Sequence, residues 1–404
     1  MLTVKLVDRT MLWVVVFAIL ILSFFSLSAV MNTFAETATA VNNKLVGAYY
    51  YAWYGLNYNS TAFNSNWENA TSTPFWGEYV SNDSSIADTQ IILAELHGID
   101  FFAVSWLGDW NYYDHLAVNG FLQQGLLEAE HINTFKFCIL YESKIILDSV
   151  YNDNESNDFF ENHFADDMNY ANATYFTNPS YLRIDGKPVV FIYDLPYLCQ
   201  YLNTSVVHEM LVNLTQSFSN NIYLVGDVGS APLPANVPFQ LSIFSDVLNA
   251  TTNYLFSGIP ASVNSPTVGN FTEILNEAQQ DYPQWQSNMT EEGMSFFPDV
   301  YPGYNDSKEN ASLPVLQANV TDFAEFLKIA FDNTGDGGIT MITSWNEWKE
   351  STAIEPSAQM GDAILDVIPE FPSALVSSVI LILTTLTVVV CAKWRRQRGG
   401  PHLC

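Results

Sequence analysis

Basic residues are scarce in this 404-residue chain: 14 Lys and Arg stand against 43 Asp and Glu, for a formal charge of −29. Six of the fourteen, Lys5, Arg9, Lys393, Arg395, Arg396 and Arg398, lie near the termini, so the body between them is more acidic still. Such a surface repels phosphate backbones and argues against nucleic acid as a partner, while neutral or cationic ligands fit. Cysteine is equally sparse, at four. Cys391 lies in an apolar stretch and Cys404 is the last residue; Cys138 and Cys199 adjoin apolar strand-like runs, where a buried free thiol is the common outcome. Neither a disulfide framework nor metal-ligand spacing is expected, and no cofactor is called for. Apolar residues, by contrast, make up 49% of the chain, with 27 Phe, 21 Tyr and 10 Trp, enough for a large core and too many for a disordered chain.

The ends have their own character. Residues 1–40 combine Lys5 and Arg9 with an uncharged run from Thr10 to Ala35 and small residues at Ala38-Thr39-Ala40, the pattern of a secretory signal. Its hydrophobic run is long enough to serve instead as an uncleaved anchor; cleavage is the favoured reading. Residues 374–392 form an uncharged span followed by the basic tail 393–404, which places that tail in the cytoplasm and everything before the span outside. The linker 367–373 contains Ile368-Pro369-Glu370-Phe371-Pro372-Ser373, which resembles an archaeal sorting signal of the Pro-Glu-Phe type. Thirteen Asn-X-Ser/Thr sequons, Asn270 and Asn319 among them, suit a glycosylated exterior domain. A membrane-anchored cell-surface protein is the expectation.

Between the termini, residues 41–366, short apolar runs alternate with helical patterns. Strands are expected at Leu45 to Trp53, Ile99 to Trp106, Phe135 to Tyr141, Pro188 to Tyr193, Ile222 to Asp227, Phe239 to Phe244, Met294 to Asp299 and Gly338 to Trp345. Helices are expected at Ser84 to His97, His115 to His131, Asn157 to Tyr175, Ser205 to Ser219, Thr272 to Trp285 and Asp322 to Asp332. Eight such units point to an α/β fold, a (β/α)8 TIM barrel, whose active residues stand at the carboxyl ends of the strands. The rival, a doubly wound sheet, would want a Gly-rich loop after the first strand, and none is there. Asp332 to Gly337 has the look of a calcium loop, but Thr343 occupies its twelfth position, and a helix-ending turn explains it.

Each run ends in aromatic and acidic residues. Tyr50, Tyr51, Trp53 and Tyr54 close the first, and Trp106, Glu142, Tyr193 with Asp194, Asp227 and Tyr254 the next five; Tyr304 follows the seventh, and Asn346, Glu347, Trp348 and Glu350 the eighth. Rings that stack on sugar C–H faces, beside carboxylates that bond hydroxyls, suit an oligosaccharide or polysaccharide substrate. Glu347 and Glu350 stand three apart, which in a helical turn puts both on one face. Two carboxylates so close cannot both ionise freely, the condition for pairing a general acid with a base in glycoside hydrolysis.

Thr343-Ser344-Trp345-Asn346-Glu347-Trp348-Lys349-Glu350-Ser351-Thr352-Ala353-Ile354-Glu355-Pro356 resembles the signature of glycoside hydrolase family 99 and its relatives, the endo-α-mannosidase group. Val46 to Gly55 is similar to that group's first strand, Tyr181 to Pro188 to its approach to the fourth, and Pro302-Gly303-Tyr304 to its seventh loop. The resemblance implies a retaining endo-acting hydrolase without a metal. In it Glu347 is the base on the sugar's 2-hydroxyl, which closes onto the anomeric carbon as an epoxide-like intermediate, and Glu350 is the general acid and then base. Tyr50 or Tyr51 lines the site. Lys349-Glu350-Ser351 stands where the family usually has His-Glu-Gly, and no arginine follows the Pro-Gly-Tyr loop before Leu313, departures that bear on which glycan is cut. The alternative is an envelope glycan-binding protein on the same barrel.

Overall fold

The computed structural model describes residues 44–368, except 56–66, 110–112, 153–154, 220, 230–240, 257–260, 263–264 and 309. The signal or anchor at 1–40, the span 374–392, the tail 393–404 and most of the linker 367–373 lie outside the described residues. Among the described residues no helix is long and apolar enough to cross a membrane.

Eight parallel strands build the core: β1 Leu45–Tyr50, β2 Phe101–Trp106, β3 Lys136–Tyr141, β4 Lys187–Ile192, β5 Tyr223–Asp227, β6 Ala250–Thr252, β7 in two segments, Ser295–Phe297 and Asp299–Val300, and β8 Ile339–Ile342. Hydrogen-bonded neighbours run from Ser295–Phe297 through β6, β5, β4, β3, β2, β1 and β8 to Asp299–Val300. The two ends of that path are consecutive in the chain, separated by Pro298 alone, so the sheet closes on itself. Proline has no amide hydrogen to give a ladder. It sits where β7 leaves β6 for β8, and its carbonyl accepts from the Met341 amide at 2.8 Å. A two-residue strand, Arg183–Ile184, pairs antiparallel with β4 as an appendage.

Around the barrel lie α1 Ser84–Leu96, α2 Tyr113–Gln124, α3 Ser143–Asn152, α4 Asn157–Thr174, α5 Leu195–Leu202, α6 Thr204–Ser217, α7 Phe271–Glu291 and α8 Val320–Asn333. Asp83, Asn203, Asn270 and Asn319 cap α1, α6, α7 and α8 through side-chain oxygens. Three of those caps, Asn203, Asn270 and Asn319, are also sequon asparagines, so a turn-forming role accounts for them without a glycan. Cys138 and Cys199 are buried free thiols.

Two expectations are corrected. The sixth strand is Ala250–Thr252 and not Phe239 to Phe244: Leu241–Phe244 is a 3₁₀ turn that buries Leu241 and Phe244, three apart, and exposes Ser242 and Ile243 between them. The helix expected over His115 to His131 ends at Gln124, with two short 3₁₀ turns after it. Gly125 has no room for a side chain there; a Cβ would stand 2.0 Å from the Ser81 carbonyl oxygen.

Strand alternation decides what reaches the barrel interior. Gly47, Tyr49 and Tyr51 point in, and Tyr50 points out, where its hydroxyl donates to Gln90 of α1 at 2.8 Å. On β2, Phe101 points in over Gly47, whereas Phe102 and Trp106 point out at the helix layer, Phe102 stacked on Tyr50 and Trp106 on Tyr170 of α4. Gly47 exists for this close approach: a Cβ there would lie 2.2 Å from the Phe101 ring. Gly47→Ala is expected to cost about 1–3 kcal/mol by overpacking and to lower the thermal midpoint; an unchanged midpoint would mean Phe101 can swing aside.

Candidate active site at the carboxyl ends of the strands

The segment after β8 is a closed loop. The Ser344 amide donates to the Thr352 carbonyl at 3.0 Å, Ile354 returns a bond to Ser344 at 2.9 Å, and Glu355 donates to Trp345 at 2.8 Å. Trp345 in turn donates to the Tyr49 carbonyl at 2.7 Å, tying the loop to β1. Neighbouring loops hold its tip, with Thr71 donating to the Trp348 carbonyl at 3.2 Å and Asn305 to the Glu350 carbonyl at 2.6 Å. Glu347 and Glu350 therefore meet across a turn at 348–351 and not on a helix; the return of the chain at Thr352 leaves no run of residues to propagate one.

Glu347 is buried, at 3% exposure. Its amide donates to Ser344 Oγ at 2.7 Å, and its Oε1 accepts from the Lys349 amide at 3.0 Å and from the Tyr54 hydroxyl at 3.4 Å. Burial, then the charge of Glu350, push its carboxyl up to about 8, against the pull of those two donors and of the Lys349 ammonium. Glu350 is half-buried beside it.

The same mouth gathers Tyr51, Trp53, Glu142, Tyr193 and Tyr254. Tyr51 packs at a tilt against Trp53, 4.4 Å between ring centres, and shares a 2.8 Å hydroxyl contact with Tyr254. Tyr193 meets Tyr254 edge-on at 5.3 Å. Glu142, at the end of β3, accepts from Ser105 Oγ at 2.6 Å; burial pushes it up to about 7, with Asp227 and Glu350 adding to the rise. Burial, and then the charges of Glu142, Glu347 and Glu350, raise Tyr51 well above its ordinary range. Trp53, Tyr193, Tyr254, Lys349 and Glu350 are half-buried, the accessible rim above the buried Tyr51, Glu142 and Glu347.

Six residues expected to bind substrate are placed otherwise. Tyr50 and Trp106 face the helices, as strand parity requires. Asp194 caps α5, accepting from the Tyr197 amide at 3.1 Å. Asp227 is a clip: it accepts the amides of Asp194, Gly229 and Tyr254, each at 3.0 Å, so three loops share one carboxylate. Tyr304 is buried and pairs its backbone with Leu316 in the seventh loop. Trp348 is buried, and its indole N–H donates to Glu355 Oε2 at 3.0 Å. Asn346 belongs to the site through the backbone of Tyr51, which it brackets by accepting from the amide at 2.7 Å and donating to the carbonyl at 3.0 Å.

Reasoning from sequence missed Ser105, Tyr79, Gln90 and Glu355. Glu355 stood in view at the end of the signature, but only its burial identifies it; Tyr79 and Gln90 carry no local signal.

A family model described as Glycosyltransferase WbsX matches residues 37–368. The chain belongs to this family. Among solved structures, a glycoside hydrolase-like protein superposes on this WbsX-family barrel with a TM-score of 0.60 and 20% identity, over 80% of this chain and 92% of the other. The GH99 endo-α-mannosidase of Bacteroides thetaiotaomicron superposes with a TM-score of 0.54 and 18% identity, over 80% and 94%. Its complex with bis-tris propane gives 0.53 and 21%, over 78% and 87%. At such identities the likeness establishes the fold. No curated protein matches the sequence.

The acids of this WbsX-family mouth make stability depend on pH. Glu142, Asp227 and Glu347 are raised to about 7, 7 and 8, mainly by burial, so each keeps its proton in the fold where the unfolded chain has released it. The folded state then binds more protons from the ordinary carboxylate range up to about pH 8, and stability falls as pH rises through that window, by up to about 1.4 kcal/mol per pH unit for each group. Thermal melts should give a higher midpoint near about pH 5 than near about pH 8.5, and Glu142→Gln should flatten the slope by one proton's share. A midpoint that rises over this range would contradict the assignment.

Proposed function

We propose that the protein is a retaining endo-acting glycoside hydrolase of α-mannoside-type glycans, with Glu347 as base and Glu350 as general acid and base. The observation that carries this reading is a buried carboxylate at the barrel mouth, raised into the neutral range by its burial and by a second carboxylate three residues on. A base whose pKa lies near working pH is efficient, because it is substantially ionised there and still takes a proton readily. The resemblance to the endo-α-mannosidase group supplies the reaction. Glu347 removes the proton of the 2-hydroxyl, whose oxygen closes on the anomeric carbon while the glycosidic bond breaks and Glu350 protonates the departing oxygen. Glu350 then takes a proton from water, which opens the anhydro sugar at the anomeric carbon, and Glu347 returns its proton to O2. Two inversions give net retention. Tyr51, Trp53, Tyr193 and Tyr254 offer the ring faces and hydroxyls on which the sugar would sit.

The matching family is described as a glycosyltransferase. In the hydrolytic reading the cleaved sugar goes to water; in a transferase reading the same position receives an acceptor hydroxyl. The exterior location also belongs to this proposal: the signal pattern and basic tail place the barrel outside, tethered by residues 374–392.

Mass analysis of products from α-mannans and N-glycans, incubated with the full-length protein with and without an added sugar acceptor, separates water from acceptor as the terminus. Glu347→Gln and Glu350→Gln should each lower turnover by about 10²–10⁴-fold while sparing glycan binding. Unchanged turnover in both variants would refute the roles.

A further inference from the structure

Glu355 is the least exposed acid of the signature segment, at 1%, and does not reach the mouth. Its carboxylate gathers three donors from three parts of the chain: the Tyr79 hydroxyl at 2.8 Å and the Trp348 indole N–H at 3.0 Å on Oε2, and the Gln90 amide at 2.6 Å on Oε1. The directions of two of these bonds are forced. The Tyr51 amide can only donate, so Asn346 turns its oxygen toward it and its NH₂ group toward the Tyr51 carbonyl and the Tyr79 hydroxyl, the latter at 3.1 Å. Tyr79 accepts that bond and gives its own proton to Glu355. Indole N–H is likewise a donor and never an acceptor. Oε2 therefore meets two protons and has no place for a third.

Two arms lead from this oxygen to the reacting groups. One runs through Tyr79 and Asn346 to the main chain of Tyr51, whose hydroxyl meets Tyr254 in the mouth. The other runs through the Trp348 indole to the Trp348 amide, which donates at 2.9 Å to the Tyr54 hydroxyl that in turn donates to Glu347. We propose that Glu355 is the positioning residue of this site: its carboxylate fixes at once the loop that carries Glu347 and the strand end that carries Tyr51. It touches no substrate and exchanges no proton with it. The reaction that this anchoring serves rests on the hydrolase reading; the anchoring itself rests on the three hydrogen bonds to Glu355.

Neutralising such an anchor leaves binding surfaces in place while loosening the geometry of the reacting acid. In glycan hydrolysis at about pH 8, Glu355→Gln should lower kcat by about 10- to 100-fold with KM within about twofold, the pattern of an interaction needed in the transition state more than the ground state. Tyr79→Phe should show a smaller fall of the same kind, and the double variant should be no worse than Glu355→Gln alone, because both act through one network. A readout independent of turnover comes from the protein labelled with ¹⁵N-tryptophan. The indole signal absent from Trp348→Phe identifies Trp348, and it should move in Glu355→Gln as its charged acceptor is lost. Wild-type kcat in Glu355→Gln, additive losses in the double variant, or an unmoved indole signal would each overturn the proposal. A wild-type protein inert toward every glycan, with the indole signal still displaced, would sink the hydrolase reading and leave Glu355 as the anchor of the loop.

Discussion

The site depends on a loop that hydrogen-bonds to itself. Once Thr352, Ile354 and Glu355 return along Ser344 and Trp345, the intervening turn has few conformations left, and its two glutamates cannot drift apart. The bond from Trp345 to Tyr49 then joins this turn to β1, so that the eighth strand's acids and the first strand's tyrosines share one frame. Closure of the barrel at Pro298 gives that frame its rigidity, since a sheet without edges has no free strand to slide.

Within that frame burial, more than any charged partner, sets the electrostatics. The mouth gathers Glu142, Glu347 and Glu350, with Lys349 the cation that acts on Glu347. A negative field of this kind opposes ionisation and favours acids that hold protons into the neutral range. Asp227 is buried nearby and spends its oxygens on three amides, showing that a barrel rim uses carboxylates as clips as readily as for chemistry. Residue type at a strand end does not separate the two uses. What a side chain already touches does.

The barrel was legible because strands buried on both faces write continuous apolar runs, as in Phe101–Trp106 and Lys187–Ile192. The sixth strand was misplaced for the converse reason: Ala250–Thr252 is three residues with two threonines, while the apolar run before it forms a 3₁₀ turn. Pro298, which argues against a central strand by local rules, proved compatible with one because the strand changes partners there.

Composition and spacing by themselves determined the alternation of strands with helices, which follows from periodicity along the chain, and set Glu347 and Glu350 three residues apart; the self-bonded turn that brings them together does not follow from periodicity. Strand parity could have separated Tyr51 from Tyr50 in principle, but only once the register of β1 against its neighbours was known. Which acids face the mouth, and that Glu355 joins Tyr79 and Gln90 across more than 250 residues of chain, only the tertiary structure decided. Hydrogen bonds between residues so distant leave no trace in local pattern, because each partner satisfies its own segment's periodicity whether or not the other is there.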